Sequence, residues 1–362
     1  MKKAFYNKED YVGLFANCIV TNGKARSLIS DLGKKENHVI PIELGLILSE
    51  KKVIKVSDFF SKIKSDTIAT RFLQYLEKSN LILIAPKAFF KYFSELPDEY
   101  LNPHIITNAV IDIAGEYKYA YKFIEYFREK MLSTVQVRIF DNSLTQKKLL
   151  RLISAVEASE ICSLQLYIPN MQAFNPDFYI KLDAFSKLDL MVVYNASEKL
   201  PVNKIRYALH FTKEKLDSSK HCGKISLAAM APNIQHYAES LAFNTCLNNK
   251  ISIDVNGDIK NCPSMSKSYG NILNADIFRI VAKRDFQKLW EIKKDDILKC
   301  KDCEFRYVCT DCRAYIDNPQ NIFSAPLKCG YNPYTGNWSP WSDSPLKKEA
   351  ISFYNLKNDQ LA

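Results

Sequence analysis

The sequence predicts an α/β protein built on a mainly parallel sheet, followed by a separate cysteine-rich part. Two observations carry this. Strand-like and helix-like runs alternate from residue 104 to about 212, and eight of the ten cysteines fall after residue 215. At 362 residues, 47% hydrophobic and 25% charged, the chain has the composition of an ordinary globular protein with room for two or three domains.

Residues 1–95 mix short strands and helices. FANCIVT (15–21) reads as a strand and HVIPIELGLIL (38–48) as a second run broken by proline. DTIATRFLQYLEKSN (66–80) has helical apolar spacing, and LILIAP (81–86) closes the unit as a strand. The size fits a small winged-helix module; the first layers of a larger domain would read the same way.

In residues 96–215, HIITNAVIDIAG is extended and YKYAYKFIEYFREKML helical. VQVRIFDN and TQKKLLRLISAVEAS repeat that order, and LQLYIP, FYIKLDAFSK, LMVVYNAS and IRYALHFT continue it. Four or so βα units are too few to close an eight-unit barrel, so an open sheet or partial (β/α) barrel is expected. Asp141, Asn142, Asn195 and His210 stand near the ends of these strands, where α/β folds place ligands, and read singly as helix caps.

Net charge is +10, but the lysine pairs are scattered among acids, which argues against nucleic acid. No glycine-rich phosphate loop occurs. No run is long enough to span a membrane and the start, MKKAFYNKEDY, carries no signal-peptide core, so the expected location is the cytoplasm. Thiols stay reduced there, and clustered cysteines mean metal rather than disulfides. Cys18 and Cys162, outside the cluster, read as buried small hydrophobes.

The cysteine-rich part is assigned to 216–345, with a terminal helix and fraying tail at 346–362. CLNNKISIDVNGDIKNC (246–262) alternates in period two about Asn256–Gly257, a pair suited to a type I′ hairpin that draws Cys246 and Cys262 together. CKDCEFRYVCTDC then supplies Cys300, Cys303, Cys309 and Cys312, and LKCGYNPY adds Cys329. Two C-x2-C pairs suit zinc, and seven thiols suit iron–sulfur clusters with one ligand from elsewhere. The pattern leaves both open.

This arrangement resembles the SPASM domain, the auxiliary-cluster domain of many radical-SAM peptide-modifying enzymes. CLNNKISIDVNGDIKNCPSM and CKDCEFRYVCTDCRAY are similar, more narrowly, to the SPASM-domain maturases of grasp-with-spasm systems. Those work beside an ATP-grasp ligase and a small precursor peptide. The resemblance implies two [4Fe–4S] clusters, one on Cys300, Cys303, Cys309 and Cys329, the other on Cys246, Cys262 and Cys312. HCG at 221–223 offers its fourth ligand, through Cys222 or else His221. Cys309 and Cys312 are separated by two residues where the SPASM pattern has three, which keeps zinc in play. The C-x3-C-x2-C run that cleaves S-adenosylmethionine is absent, since only Cys18 precedes Cys162.

Function is therefore expected to be iron–sulfur-dependent maturation of a ribosomal peptide with an ATP-grasp ligase, without an adenosyl radical. The alternative is a non-catalytic, metal-stapled adaptor, with iron–sulfur or zinc, that presents the precursor. An extended leader would add to a sheet edge formed by FANCIVT or HVIPIEL. No residue stands out as catalytic. Phe305 and Tyr307 are expected to pack around metal. Arg306 suits either carbonyl and cluster contacts or solvent, and CGYNPYTGNWSPW (329–341) suits a loop over the cluster or a binding lip.

Overall fold

The computed structural model describes residues 6–93, 95–357 and 360. The opening residues of MKKAFYNKEDY and positions 358, 359, 361 and 362 of the tail expected to fray lie outside them. The chain divides into two interleaved units. The first runs to Leu101 and adds Ile225–Thr245 and Ile292–Tyr354; the second comprises Asn102–Lys224, Cys246–Glu291 and the chain from Asn355.

The first unit starts with β1 (Tyr11–Leu14), β2 (Cys18–Asn22), β3 (Arg26–Asp31) and β4 (Glu36–Pro41). Helix α1 (Ile42–Glu50), β5 (Val53–Lys55), α2 (Val56–Ser61), α3 (Asp66–Lys78) and β6 (Ile82–Ala85) follow. Two antiparallel three-stranded sheets result, ordered β5-β1-β6 and β2-β3-β4. The segment HVIPIELGLIL is half helix rather than one extended run. Pro41 ends β4, and Leu44, Ile47 and Leu48, at helical spacing, are buried on α1. Phe59, Leu73 and Leu76 complete this unit's core from α2 and α3.

The second unit is a seven-stranded, mostly parallel sheet. Its strands are β7 (Asn108–Ile113), β8 (Leu132–Ile139), β9 (Ile161–Pro169), β10 (Leu188–Tyr194), β11 (Ala208–Phe211), β12 (Lys250–Ile253) and β13 (Ile259–Lys260). Helices α4 (Lys118–Tyr126), α5 (Gln146–Glu157) and α6 (Pro176–Lys181) link the first four strands. The order is β11-β10-β9-β8-β7-β12-β13, an open sheet in which only β13 runs antiparallel. Val135, Val137, Leu164, Leu166, Met191 and Val193 pack with Phe123, Leu149 and Leu152 in one core. The core residues alternate along β8 and β9 with Thr134, Gln136, Ser163 and Gln165, so one face of the sheet packs on the helices and the other is more polar.

Helix caps come from residues other than those expected. Thr145 caps α5 and Asn175 caps α6 through their side chains. Asp141 instead builds the preceding turn, accepting from the Ser143 amide at 2.8 Å and pairing with Lys148 at 3.2 Å. Asn195 takes a positive φ of 57°, and His210 lies inside β11. Cys162 is exposed, a correction to its expected burial: on β9 it alternates with the buried Ile161 and points the other way. Cys18 is buried.

The β12–β13 turn is not type I′. That type needs positive φ at both central residues, and among the described residues of this turn only Gly257 has it, at 80°. The Asp254 carboxylate accepts from the amides of Asn256 (2.9 Å) and Asp258 (3.0 Å), which makes a longer loop with glycine at its left-handed position. A Cβ at Gly257 would also overlap the Tyr119 ring. Gly257→Ala should therefore cost more than the ~1–3 kcal/mol of a strained backbone alone. In urea titrations, adding Tyr119→Ser should make the combined loss smaller than the sum of the two single losses.

Candidate metal centre

Four of the sequence-selected thiols, Cys300, Cys303, Cys309 and Cys329, line one cavity of the first unit. Cys300 opens a 3-10 turn, Cys300–Asp302, that follows Lys299 at a left-handed φ of 68°. The Cys303 amide donates back to the Cys300 carbonyl at 2.9 Å, which folds the first C-x2-C pair on itself. Thr245 Oγ1 donates to the Cys309 carbonyl at 3.1 Å. A parallel bridge from Ile225 to Cys329 brings in the last thiol. Ile225, Met230, Phe305 and Tyr331 complete an apolar lining.

The aromatics between and after the ligands pack inward. Phe305 and Tyr331 are buried with ring centroids 5.2 Å apart, and Trp338 lies 5.0 Å from Tyr331. Thus CGYNPYTGNWSPW includes a short hairpin, Tyr331–Asn332 against Asn337–Trp338, whose first strand supplies a wall of the cavity. Arg306 donates to the carbonyls of Asn22 (2.8 Å) and Cys303 (3.0 Å) and pairs with Asp295.

Sequence reasoning missed a buried ionic network against this cavity. Lys294 lines it and reaches to 3.9 Å from Cys300 Sγ. Its Nζ donates to Asp311 at 2.8 Å, and Arg313 grips the same carboxylate through Nε (2.8 Å) and Nη2 (3.0 Å). All three side chains are at most 5% exposed. Burial opposes each charge, yet Asp311 is held well below the usual carboxylate range by the two cations, and Lys294 well above its ordinary value by Asp311. Asp311 adopts a left-handed φ of 57° inside the two-residue Cys309–Cys312 spacing. The signal was thin: Lys294 sits in EIKKDD, which reads as a solvated charge run.

The second predicted ligand set divides between the units: Cys222, Cys246 and Cys262 belong to the second, Cys312 to the first. Cys222 and Cys246 are both within electrostatic range of Cys262, whose thiol burial pushes up to about 12. Ligating sulfur must lose its proton, so occupation of such thiols releases protons.

Near the carboxyl ends of the parallel strands lies a polar row. Asp112, Arg138 and Tyr167 are register partners on β7, β8 and β9, and the row continues through Val192 to His210. Arg138 holds Asp112 in a bidentate pair (Nε–Oδ1 2.6 Å, Nη2–Oδ2 2.8 Å), both residues being buried. Burial pushes Asp112 up against the pull of the guanidinium. Arg138 in turn feels Cys222 and Cys262. Cys222, Cys246 and Cys262 are thus linked electrostatically within the second unit, Cys262 to both other thiols and Arg138 to Cys222 and Cys262.

Among the described residues no three His, Cys, Asp or Glu side chains stand close enough to share one metal ion, and no helix is long and apolar enough to cross a membrane. Four thiols around a cavity fit a cluster, whose iron–sulfide core is larger than one ion and is bound by thiolates. Compared with family models and with curated proteins, the chain matches none.

Proposed function

We propose that the chain is an iron–sulfur protein that takes part in maturing a ribosomally made peptide together with an ATP-grasp ligase. The observation that carries this reading is the convergence of Cys300, Cys303, Cys309 and Cys329 on one apolar, aromatic-walled cavity. A [4Fe–4S] cluster held there would supply one-electron redox chemistry or a rigid scaffold. Cys222, Cys246 and Cys262, all in the second unit, would supply thiolates to the second cluster. In this reading the mostly parallel sheet is a partial barrel that has lost the radical-generating cysteines, and the cysteine-bearing segments form a SPASM-like domain.

The first unit supports the peptide side of the proposal. FANCIVT and HVIPIEL contribute β2 and β4, the two outer strands of a three-stranded sheet, and outer strands can accept an extended peptide. The small sheets with α1–α3 suit a winged-helix-like recognition module. Beside β2 runs a groove of about 460 Å³ lined by Phe15, Ile19, Val20, Leu48, Phe90 and Phe93, wide enough for alternate apolar side chains of such a strand.

Iron, sulfide and zinc content after anaerobic purification tests the reading. About eight irons and eight sulfides per chain are expected for two cubane clusters. Zinc at one or two per chain without sulfide would leave the adaptor function and remove electron transfer. In hydrogen exchange, an added precursor peptide should protect the amides of β2 or β4; a precursor that protects neither argues against strand addition.

A further inference from the structure

We propose that Lys294 is the positioning residue of the Cys300/Cys303/Cys309/Cys329 centre, a buried ammonium that donates to the Cys300 sulfur and makes the bound cluster easier to reduce. This rests on the iron–sulfur reading above.

The geometry is specific. Lys294 is 4% exposed and lines the cavity beside all four thiols, with its Nζ 3.9 Å from Cys300 Sγ and 2.8 Å from Asp311. A buried lysine is expected only with a partner. Here one carboxylate serves two cations, because Asp311 is also gripped by Arg313. Asn244 Nδ2 donates to Asp311 at 2.5 Å, and Arg313 spends its remaining Nη1 on the carbonyls of Ile322 (2.9 Å) and Ser324 (2.8 Å). Asp317 also lies within electrostatic range of Arg313, which leaves Lys294 as the member of the triad that faces the thiols.

A cluster on four thiolates carries excess negative charge, and reduction adds another electron with no bond made or broken. A nearby desolvated cation and an N–H donor to a ligand sulfur both stabilise the reduced state more than the oxidised one. Lys294 is not a ligand; it acts through Cys300.

The test is an EPR-monitored titration of the loaded protein with dithionite as one-electron donor. Lys294→Met should lower the reduction equilibrium constant at least tenfold, a shift of about 59 mV to more negative potential. Lys294→Arg, which keeps the charge, should stay close to the native value. Equal potentials for native protein and Lys294→Met overturn the assignment. Should Lys294→Met fail to fold, pulsed EPR of the reduced native protein with ¹⁵Nζ-labelled lysine decides: a ¹⁵N coupling is expected, and its absence overturns the proposal. Iron and sulfide are assayed first. Their absence overturns the iron–sulfur reading and the role of Lys294 with it, whereas loaded protein with an unshifted potential overturns only the role of Lys294.

Discussion

Cys303→Ser should lose one complete cluster, leaving roughly four of about eight irons per chain with matching sulfide. The residue lines the four-thiol cavity and lies in the first C-x2-C turn, so its loss removes a ligand where no spare thiol is at hand. Folding energy goes with it, because a bound metal centre contributes its binding free energy to the folded state. The thermal midpoint of the anaerobic protein should therefore fall part of the way towards that of the chelator-treated native chain, which has lost both clusters. Cys162→Ser is the control: that thiol is exposed on β9, and iron and stability should stay at native levels. Cys222→Ser separates the two sets. If Cys222 is the missing fourth ligand, iron should drop to the level of Cys303→Ser while the cluster at Cys300 keeps its EPR signal.

Arg138→Met should destabilise the second unit by about 3–5 kcal/mol at neutral pH, since removing one partner leaves a buried charge unpaired. Asp112 is 3% exposed and loses both hydrogen bonds in one step. The loss should depend on pH with a definite sign. Burial already raises the Asp112 pKa, and without the guanidinium it rises further. An acid whose folded pKa exceeds its unfolded one favours the folded state at low pH and disfavours it as pH rises. The gap between native and variant stabilities should therefore narrow as pH falls from 8 towards 5, and Asp112→Asn added to Arg138→Met should recover part of the loss. Urea unfolding at several pH values reads this directly; a gap that widened on acidification would count against the paired assignment.

The parts of this protein legible in its sequence are those written in local order. Strand–helix alternation announced β7 to β11, because period two and period 3.6 differ within a few residues. Spacing alone paired Cys300 with Cys303 and Cys309 with Cys312; it was the resemblance that grouped Cys300, Cys303 and Cys309 with the distant Cys329, and those four line one cavity. The illegible parts depend on partners far away in sequence. Pairing of β12 with β7 joins residues about 140 positions apart, and nothing local in KISIDV distinguishes that parallel neighbour from none. Asp112 and Arg138 each read as the polar member of an alternating strand, and nothing local shows that they pair across neighbouring strands. Asp254 was masked by its turn: in DVNGD the Asn-Gly pair suggested a two-residue hairpin, while the aspartate before it set a longer one.

The interleaving of the two units has a consequence for biosynthesis. Strand β7 leaves the ribosome long before β12, its neighbour in the finished sheet, exists. At typical synthesis speeds the wait lasts roughly 10–30 s, during which one flank of a growing apolar sheet has no permanent partner. The first unit waits longer still, since it lacks Ile292–Tyr354 and every thiol of the four-cysteine cavity until the end of the chain is near. The four-thiol cavity can therefore close only after Cys329 has been made, so a chain cut short before it would carry the N-terminal sheets without that cavity.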